Sequence, residues 1–399
     1  MSQPTLLFYC QHSLGMGHLV RSFALIRELT SSFKVVFLNG GRLPPGLPVP
    51  SKIQLIQLPP LGMNDEKGLV SLDEELTLAE AQAKREALIL TTWARLKPQA
   101  IVIELFPFGR KKFRNELVAL LDQATSSHDE KPVIICSLRD ILIGGRRDQQ
   151  RHDDRAVDLL ERYFDAVLVH ADPAFARIEE SFKPGKKCTT PIYYTGFVLP
   201  QQKSGWIPTD RDASVLVSAG GGIVGGPLFR AAVRAQRILW PVSGLPMTIV
   251  AGPFLPEPEW RVLQGAVADT PGLTVLRSVP NLGATMRKLR WSVSQCGYNT
   301  AMDVLSSKVV ALFVPFADRQ ENEQANRAAR LANCGATRTL SPAGLGGQSL
   351  AREIQQLMQF EPQQCCFELG GAANTAGIIS RLVAGQPDSG LVHAVGGHA

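Results

Sequence analysis

Short apolar runs, each followed by a turn of small residues and a longer amphipathic stretch, recur along the whole chain. In the first half the runs are LLFYC (6–10), VVFLN (35–39), IQLIQL (53–58), AIVIELF (100–106), PVIICSL (132–138) and AVLVHA (166–171). They are rich in Val and Ile and show little polar alternation, the pattern of strands covered on both faces by helices. A parallel sheet follows from that alternation of strand and helix. The series restarts with SVLVSAGGG (214–222), MTIVAG (247–252), LTVLRSV (273–279), RWSVSQ (290–295) and VVALFVPF (309–316), which predicts a second sheet of the same kind. Between the two series, residues 198–213 hold Pro, Gly and charge without an apolar period and read as an interdomain linker. The expected division is an N-terminal domain over 1–200, a C-terminal domain over 201–385 and a disordered tail over 386–399. A final helix near 372–384 is expected to return and brace the N-terminal domain. No solenoid repeat is present.

Composition narrows the classes. With 399 residues, 45% hydrophobic and 20% charged, the chain has material for two sizeable cores. No run approaches the roughly 20 apolar residues that span a bilayer, and no basic leader precedes the first strand, so a cytoplasmic protein is expected. Seven cysteines without a CxxC pair give no support to a disulfide framework or a zinc site. The net charge of +6 is modest, and its basic residues gather at 109–114 and 144–155. That distribution points to anionic small molecules or an anionic surface and away from nucleic acid.

Ligands of open α/β sheets bind beyond the carboxyl ends of the strands, so the chemistry is sought at strand-to-helix junctions. Three stand out. In 9–29, Gly15 and Gly17 precede His18, and Leu19, Phe23, Ile26 and Leu29 then recur at helical spacing. In 218–226, Gly220, Gly221 and Gly222 follow the first strand of the second half. In 294–305, SQCGYNTAMDVL sets a glycine, an amide and a carboxylate between a strand and a helix. Backbone N–H groups at a helix start favour an anion, and glycine permits close approach. Neither glycine loop has the phosphate-loop Gly-Lys-Ser/Thr ending, and the first lacks the dinucleotide-binding spacing, so NTPase and dehydrogenase readings fall behind. The HDD at 152–154 is too isolated for a metal motif and reads as a solvated helical face.

Residues 294–324 resemble the nucleotide-sugar signature of GT-B-fold glycosyltransferases. Gln295, Cys296, Gly297, Tyr298, Asn299 and Thr300 are followed by Asp303 and then by Glu323 and Gln324, in the family's order and spacing. The GMGH turn at 15–18 and the ALFVPF run at 311–316 are similar to the MurG-like enzymes, those with a glycosyltransferase family 28 type of C-terminal domain. Two positions depart from the plant-type pattern: Gln295 replaces a histidine and Asp303 a glutamate. A third departure is LVRS after His18, without the proline common there.

The resemblance implies an α/β protein of two Rossmann-like domains with parallel sheets facing across a cleft. It implies that Gln295, Gly297, Asn299 and Thr300 meet the donor diphosphate, that Asp303 accepts from the ribose, and that Glu323 and Gln324 bind the transferred sugar. Val279, in SVPNL (278–282), would offer backbone to the base. The expected reaction is inverting transfer from a nucleoside-diphosphate sugar, taken as a UDP-sugar, to a hydroxyl of a small or lipid-linked acceptor. No metal or further cofactor is expected, because helix N-termini and amides meet the diphosphate. His18 is the expected base, with Glu104 or Asp140 as its orienting partner; for each carboxylate a structural ion pair with a nearby arginine is an equal alternative.

The stretch FPFGRKKFRNEL (106–117), with Arg110, Lys111, Lys112 and Arg114, fits either an anionic acceptor, a membrane surface at the inner face, or a solvated basic helix start. Two other readings stay open on the same scaffold. One is a nucleotide-sugar hydrolase or 2-epimerase, the other a non-catalytic nucleotide-sugar-binding partner.

Overall fold

The computed structural model describes residues 3–12, 16–44, 47–64, 66, 68–126, 131–142, 148–200, 208–316, 322–386 and 392–393. Gly15 lies outside the described residues, as does nearly all of the expected tail.

The chain divides into two compact units, one of residues 1–198 with 367–399 and one of 199–366. The first unit begins β1 (Thr5–Cys10), α1 (Gly17–Leu29), β2 (Lys34–Asn39) and β3 (Ile53–Gln57), followed by a hairpin of β4 (Leu61–Met63) and β5 (Leu69–Ser71). It continues through α2 (Leu78–Leu96), β6 (Ala100–Glu104), α3 (Arg114–Ser126), β7 (Val133–Arg139), α4 (Gln149–Tyr163), β8 (Ala166–His170) and β9 (Ile192–Tyr194). The second unit runs β10 (Asp212–Ser218), α5 (Gly226–Ser243), β11 (Met247–Val250), α6 (Glu257–Gly265), β12 (Leu273–Leu276), α7 (Leu282–Lys288) and β13 (Leu289–Ser294). Then come α8 (Tyr298–Ser307), β14 (Val310–Phe313), α9 (Glu323–Asn333), β15 (Arg338–Thr339) and α10 (Gly347–Leu357). The chain re-enters the first unit as α11 (Gly371–Val383) and β16 (Val392–His393).

The first sheet has the order β3-β2-β1-β6-β7-β8-β9-β16, parallel throughout except for β16. The second has the order β12-β11-β10-β13-β14-β15 and is fully parallel. Both are therefore the helix-covered sheets that the unbroken apolar runs imply. Leu6 through Cys10 are all shut off from solvent, which explains the lack of polar alternation in β1. In each sheet the strand order reverses beside its first strand, between β1 and β6 and between β10 and β13. Ligands of such sheets bind outside the carboxyl ends at that reversal.

The expected boundary at 385 moves to 366. α11 contributes Ala376, Ile378 and Ile379 to the core formed by β1, α1 and β2. Its entry is fixed by Phe197 N–H donating to Glu368 O (2.7 Å), Gly371 N–H donating to Phe197 O (3.0 Å), and Asn374 Nδ2 donating to Thr195 O (2.9 Å). The linker expected over 198–213 is also shorter than read. Val198 is buried and bridges Gly370, while β10 has begun by Asp212; residues 201–207 lie outside the described residues. Among the described residues no helix is long and apolar enough to cross a membrane.

Candidate active site

In the first unit, α1 follows β1, and its residues Leu19, Phe23, Ile26 and Leu29 are buried in the core. That buried stripe turns His18 and Arg21, three residues apart and so on neighbouring positions of the helix surface, toward the end of β6. There Glu104 is the last strand residue. His18 Nδ1 lies 2.6 Å from Glu104 Oε1, Arg21 Nη2 donates to the same oxygen at 2.6 Å, and Arg110 Nη2 donates to Oε2 at 2.6 Å. Side-chain exposure is 1% for Glu104 and 2% for Arg21, against 11% for Arg110 and 19% for His18. Only the histidine retains much access to solvent.

Arg110 reaches back because the connection between β6 and α3 curls. Leu105 and Arg110 both have positive φ, 67° and 61°, and Gly109 N–H donates to Leu105 O at 2.8 Å. A bulky apolar residue in the left-handed region is an unusual conformation that the surroundings must enforce. Here the enforcement is aromatic: Phe106 packs on Phe164 and Phe108 on Phe182, with ring centroids 6.3 and 5.0 Å apart. A side chain at Gly109 would run into Leu105, its Cβ only 2.8 Å from Leu105 Cδ2.

Charge sets the protonation states. Burial pushes the Glu104 carboxyl up, but His18, Arg110 and Arg21 outweigh it and hold the group well below the usual carboxylate range. Burial pushes the His18 imidazole down to about 3, with Glu104 opposing and the two arginines assisting. The group at neutral pH is therefore a neutral imidazole whose Nδ1–H donates to a carboxylate. Its Nε2 has no partner among the described residues and carries the lone pair a base needs.

Of the two carboxylates expected as partners, the structure joins Glu104 to His18; Asp140, buried just past β7, is not bonded to it. Glu104 also fulfils the ion-pair alternative, since both arginines bind it. The basic stretch after it changes meaning: Phe106, Phe108 and Phe113 are core residues and Arg110 is spent on Glu104, leaving Lys111, Lys112 and Arg114 exposed. The HDD is not a solvated face. Asp153 is buried and accepts from Lys183 N–H (2.9 Å), and Asp154 accepts from Gly185 N–H (2.7 Å), so both pin the loop after β8 to α4.

Two buried networks escaped the sequence. Arg85 Nη2 and Nε bind Glu116 at 2.6 and 2.8 Å, while its Nη1 donates to the carbonyls of Gly40 and Pro59, both at 2.9 Å. It ties together the loops beyond β2 and β3. Ser137 Oγ lies 2.7 Å from His170 Nε2, and His170 Nδ1 lies 3.0 Å from Thr195 Oγ1. That Ser–His pair has the spacing of a nucleophile and its base, yet all three side chains are buried, so it serves to bind strand ends together.

In the second unit the glycine loop leaves β10 and enters α5. Gly222 has φ 92°, and a Cβ there would lie 2.3 Å from the Ala251 carbonyl oxygen, so the loop packs against the turn after β11 with no room for a side chain. Thr300 Oγ1 is the atom that a Cβ on Gly220 would first meet, at 3.7 Å, which sets Gly220 beside the first turn of α8. Gly221 O accepts from Phe254 N–H at 2.9 Å. Ser218, Ser294 and Phe313 stand in register at the ends of β10, β13 and β14, and the two serine hydroxyls are 2.9 Å apart.

Helix α8 starts at Tyr298 with Gly297 as its N-cap, with no side-chain cap among the described residues and no acidic residue in its first turn. Among the described residues, its chain neighbours aside, nothing lies within 4 Å of where a Cβ on Gly297 would stand. Such a helix end carries partial positive charge. Asp303, one turn further on, packs toward α7: a Cβ on Gly283 would lie 2.7 Å from its Oδ1. Its carboxylate makes no hydrogen bond or ion pair among the described residues, and burial pushes it up to about 7 against the pull of Arg287. Val279 is half-buried two residues before Asn281, whose side chain caps α7 by accepting from Ala284 N–H at 2.8 Å.

Two expected ligand groups are partly committed to the protein. Gln295 Nε2 donates to Val224 O at 3.0 Å, anchoring the glycine loop, and Gln324 Oε1 accepts from Phe316 N–H at 3.1 Å. Asn299 and Glu323 are half-buried at the starts of α8 and α9. Arg327, unnoticed in the sequence, is fully buried; its Nη1 donates to Cys296 O at 2.7 Å and its guanidinium lies 5.8 Å from the Tyr298 ring centre. It fixes the turn that aims α8.

Residues 262–371 match the glycosyltransferase family 28 C-terminal domain. No curated protein sequence matches the chain. Solved structures similar to it over 96% of its length include CalG4, the calicheamicin glycosyltransferase (16% identity, 95% of that chain, TM-score 0.57). Acinetobacter baumannii MurG is similar at 16% identity over 99% of that chain, with a TM-score of 0.56. Phytolacca americana UGT2, complexed with UDP-2-fluoro-glucose and pterostilbene, is similar at 16% identity over 94% of that chain, also with a TM-score of 0.56. The chain shares the two-domain GT-B fold of these structures, and its residues 262–371 match the family 28 C-terminal domain.

Proposed function

We propose that the protein transfers a sugar from a nucleoside-diphosphate sugar to an acceptor hydroxyl by direct, inverting displacement, with His18 as the base. The observation that carries this reading is the His18 Nδ1 contact to Glu104 at 2.6 Å, which leaves Nε2 open beside the carboxyl end of the first sheet. Attack of the acceptor oxygen on the anomeric carbon breaks its bond to the diphosphate while Nε2 takes the hydroxyl proton. Glu104 orients the ring and offsets the charge that His18 gains.

The donor falls to the second unit. The uncapped start of α8 and the backbone of the glycine loop meet the leaving diphosphate, so the reading needs no metal ion. Asp303 accepts from the ribose hydroxyls, Asn299 and Thr300 lie at the phosphates, and Glu323 and Gln324 contact the sugar. UDP is the favoured nucleotide, as Phytolacca americana UGT2 was captured with a UDP-sugar. The exposed Lys111, Lys112 and Arg114 suit an anionic or lipid-linked acceptor, met at the cytoplasmic face of a membrane.

With UDP-sugars and a panel of hydroxyl acceptors, nucleoside diphosphate should be released in step with product of inverted anomeric configuration, read by NMR. His18→Ala should lower kcat by about two to four powers of ten with nucleotide affinity held. Unchanged turnover in that variant removes His18 from the mechanism. Release at the same rate without acceptor would instead mark a hydrolase.

A further inference from the structure

The orienting carboxylate of this base is not the histidine's alone. Glu104 Oε1 is shared between His18 Nδ1 and Arg21 Nη2, and Oε2 is taken by Arg110 Nη2, every contact being 2.6 Å. Arg21 Nη2 also stands 3.3 Å from His18 Nδ1. Two guanidiniums against one carboxylate leave the group with net positive charge before the imidazole has taken any proton.

We propose that Arg21 and Arg110 are positioning residues that divide Glu104 with His18, hold the imidazole neutral with its proton on Nδ1, and so make it a deliberately weak base. The inference rests on His18 being the base and deepens that reading. Protonating Nε2 would bring a third cation onto a single anion in a nearly dry site, where like charges act strongly. A carboxylate bonded to one imidazole would have favoured the imidazolium; one already claimed by two arginines does so far less.

Arg110 is the informative member. It comes from a connection whose two left-handed residues, Leu105 and Arg110 itself, bring it back over the strand end. The other titratable groups beside the cluster add no charge: burial holds the Cys10 thiol up at about 12 and pushes His170 down to about 3, while His12, bonded to Asn39, is also lowered. Cys136 is likewise raised by burial and stays a neutral thiol. Beyond the burial that lowers it, the state of His18 is therefore set by Glu104, Arg21 and Arg110. A base this weak takes a proton efficiently only from a nucleophile that is itself acidic, so the fitted acceptor is a phenol or another oxygen acid in preference to an aliphatic alcohol.

The test is ¹⁵N-histidine NMR of the whole protein across pH 3–8, with the His18 signals assigned by their loss in His18→Gln. In the wild type His18 should stay neutral and Nδ1-protonated down to about pH 4. Arg110→Met should move its titration upward by about one to two pH units, and Arg110→Lys, which keeps the charge, should restore the wild-type behaviour. A structural role alone would leave the titration in place while lowering Tm, which is recorded for each variant. Titration of wild-type His18 near its ordinary value, an Nε2-protonated ring, or a folded Arg110→Met with an unmoved titration would overturn the proposal. Because this readout needs no substrate, it is separable from the transferase reading, which fails only if turnover survives His18→Ala.

Discussion

At the end of β6 the Glu104 carboxylate is closed by three donors, whereas among the described residues the start of α8 has no side-chain cap. Glu104 satisfies both oxygens with three donors and is almost wholly excluded from water. Among the described residues, Gly297 has open space beside it, α8 has no side-chain cap, and the Asp303 carboxylate has no bonded partner. The difference follows from what each region does in the proposed reaction. A base must be held in one tautomer and orientation before substrate arrives, and that requires a complete set of bonds within the protein. A binding site must keep its valences for the ligand, and a side chain that completed them would displace it.

The largest effect is expected from opening the closed region. Glu104→Gln leaves Arg21 and Arg110 buried against a neutral amide, and breaking a buried ion pair in this way costs about 3–5 kcal/mol. Urea unfolding should show that loss together with a collapse of kcat; a variant as stable as the wild type would mean the cluster is more hydrated than its burial indicates.

Closing the open region comes next. Gly297→Asp places a carboxylate at the N-cap, where backbone φ −63° suits any residue and a Cβ has space. The variant should stabilise the fold by a few tenths of a kcal/mol, the difference between aspartate and glycine as caps, while repelling the diphosphate. A rise in Tm with loss of nucleotide binding is the expected pair of readings, and retained binding would show that α8 is not the diphosphate site.

An effect on stability alone, dependent on pH, is expected at Asp303. Its folded pKa of about 7 lies above the ordinary 3.8, so its ionisation opposes folding. The cost is absent below about pH 4, grows as pH rises, and is complete above pH 7. Asp303→Asn should thus be more stable than the wild type at pH 8 by about 1–2 kcal/mol, the partial exposure of the group limiting the gain, and indistinguishable from it near pH 4. Equal stability at both pH values would mean that solvent already reaches the carboxylate.

Much of this contrast could be read from residue order, and the rest could not for definable reasons. Unbroken Val- and Ile-rich runs marked the central strands of both sheets because both faces of each are covered; β9, with three residues, and β15, with two, are too short to carry a period. His18 was singled out by the glycine turn before it, and Asp303 by the resemblance of residues 294–324 to the nucleotide-sugar signature. The choice between Glu104 and Asp140 was not, since both end strands. It is decided by β6 pairing directly with β1 while β7 lies one strand further out, a long-range fact. Arg21, three residues beyond His18, was open to notice. Arg110 was not, because its path depends on the left-handed turn at Leu105. The hydrogen bonds of Gln295 to Val224 and Gln324 to Phe316 likewise depend on where distant loops fold.

The most direct test of the account is titration of UDP, GDP, dTDP and CDP, each with its sugar conjugates, into wild type and Gly297→Asp, followed by thermal shift. One nucleotide family should stabilise the wild type, by about 2.7 kcal/mol at a hundredfold excess over Kd, and leave the variant unmoved. Stabilisation of neither protein, or of both equally, would contradict a donor site built on the open start of α8.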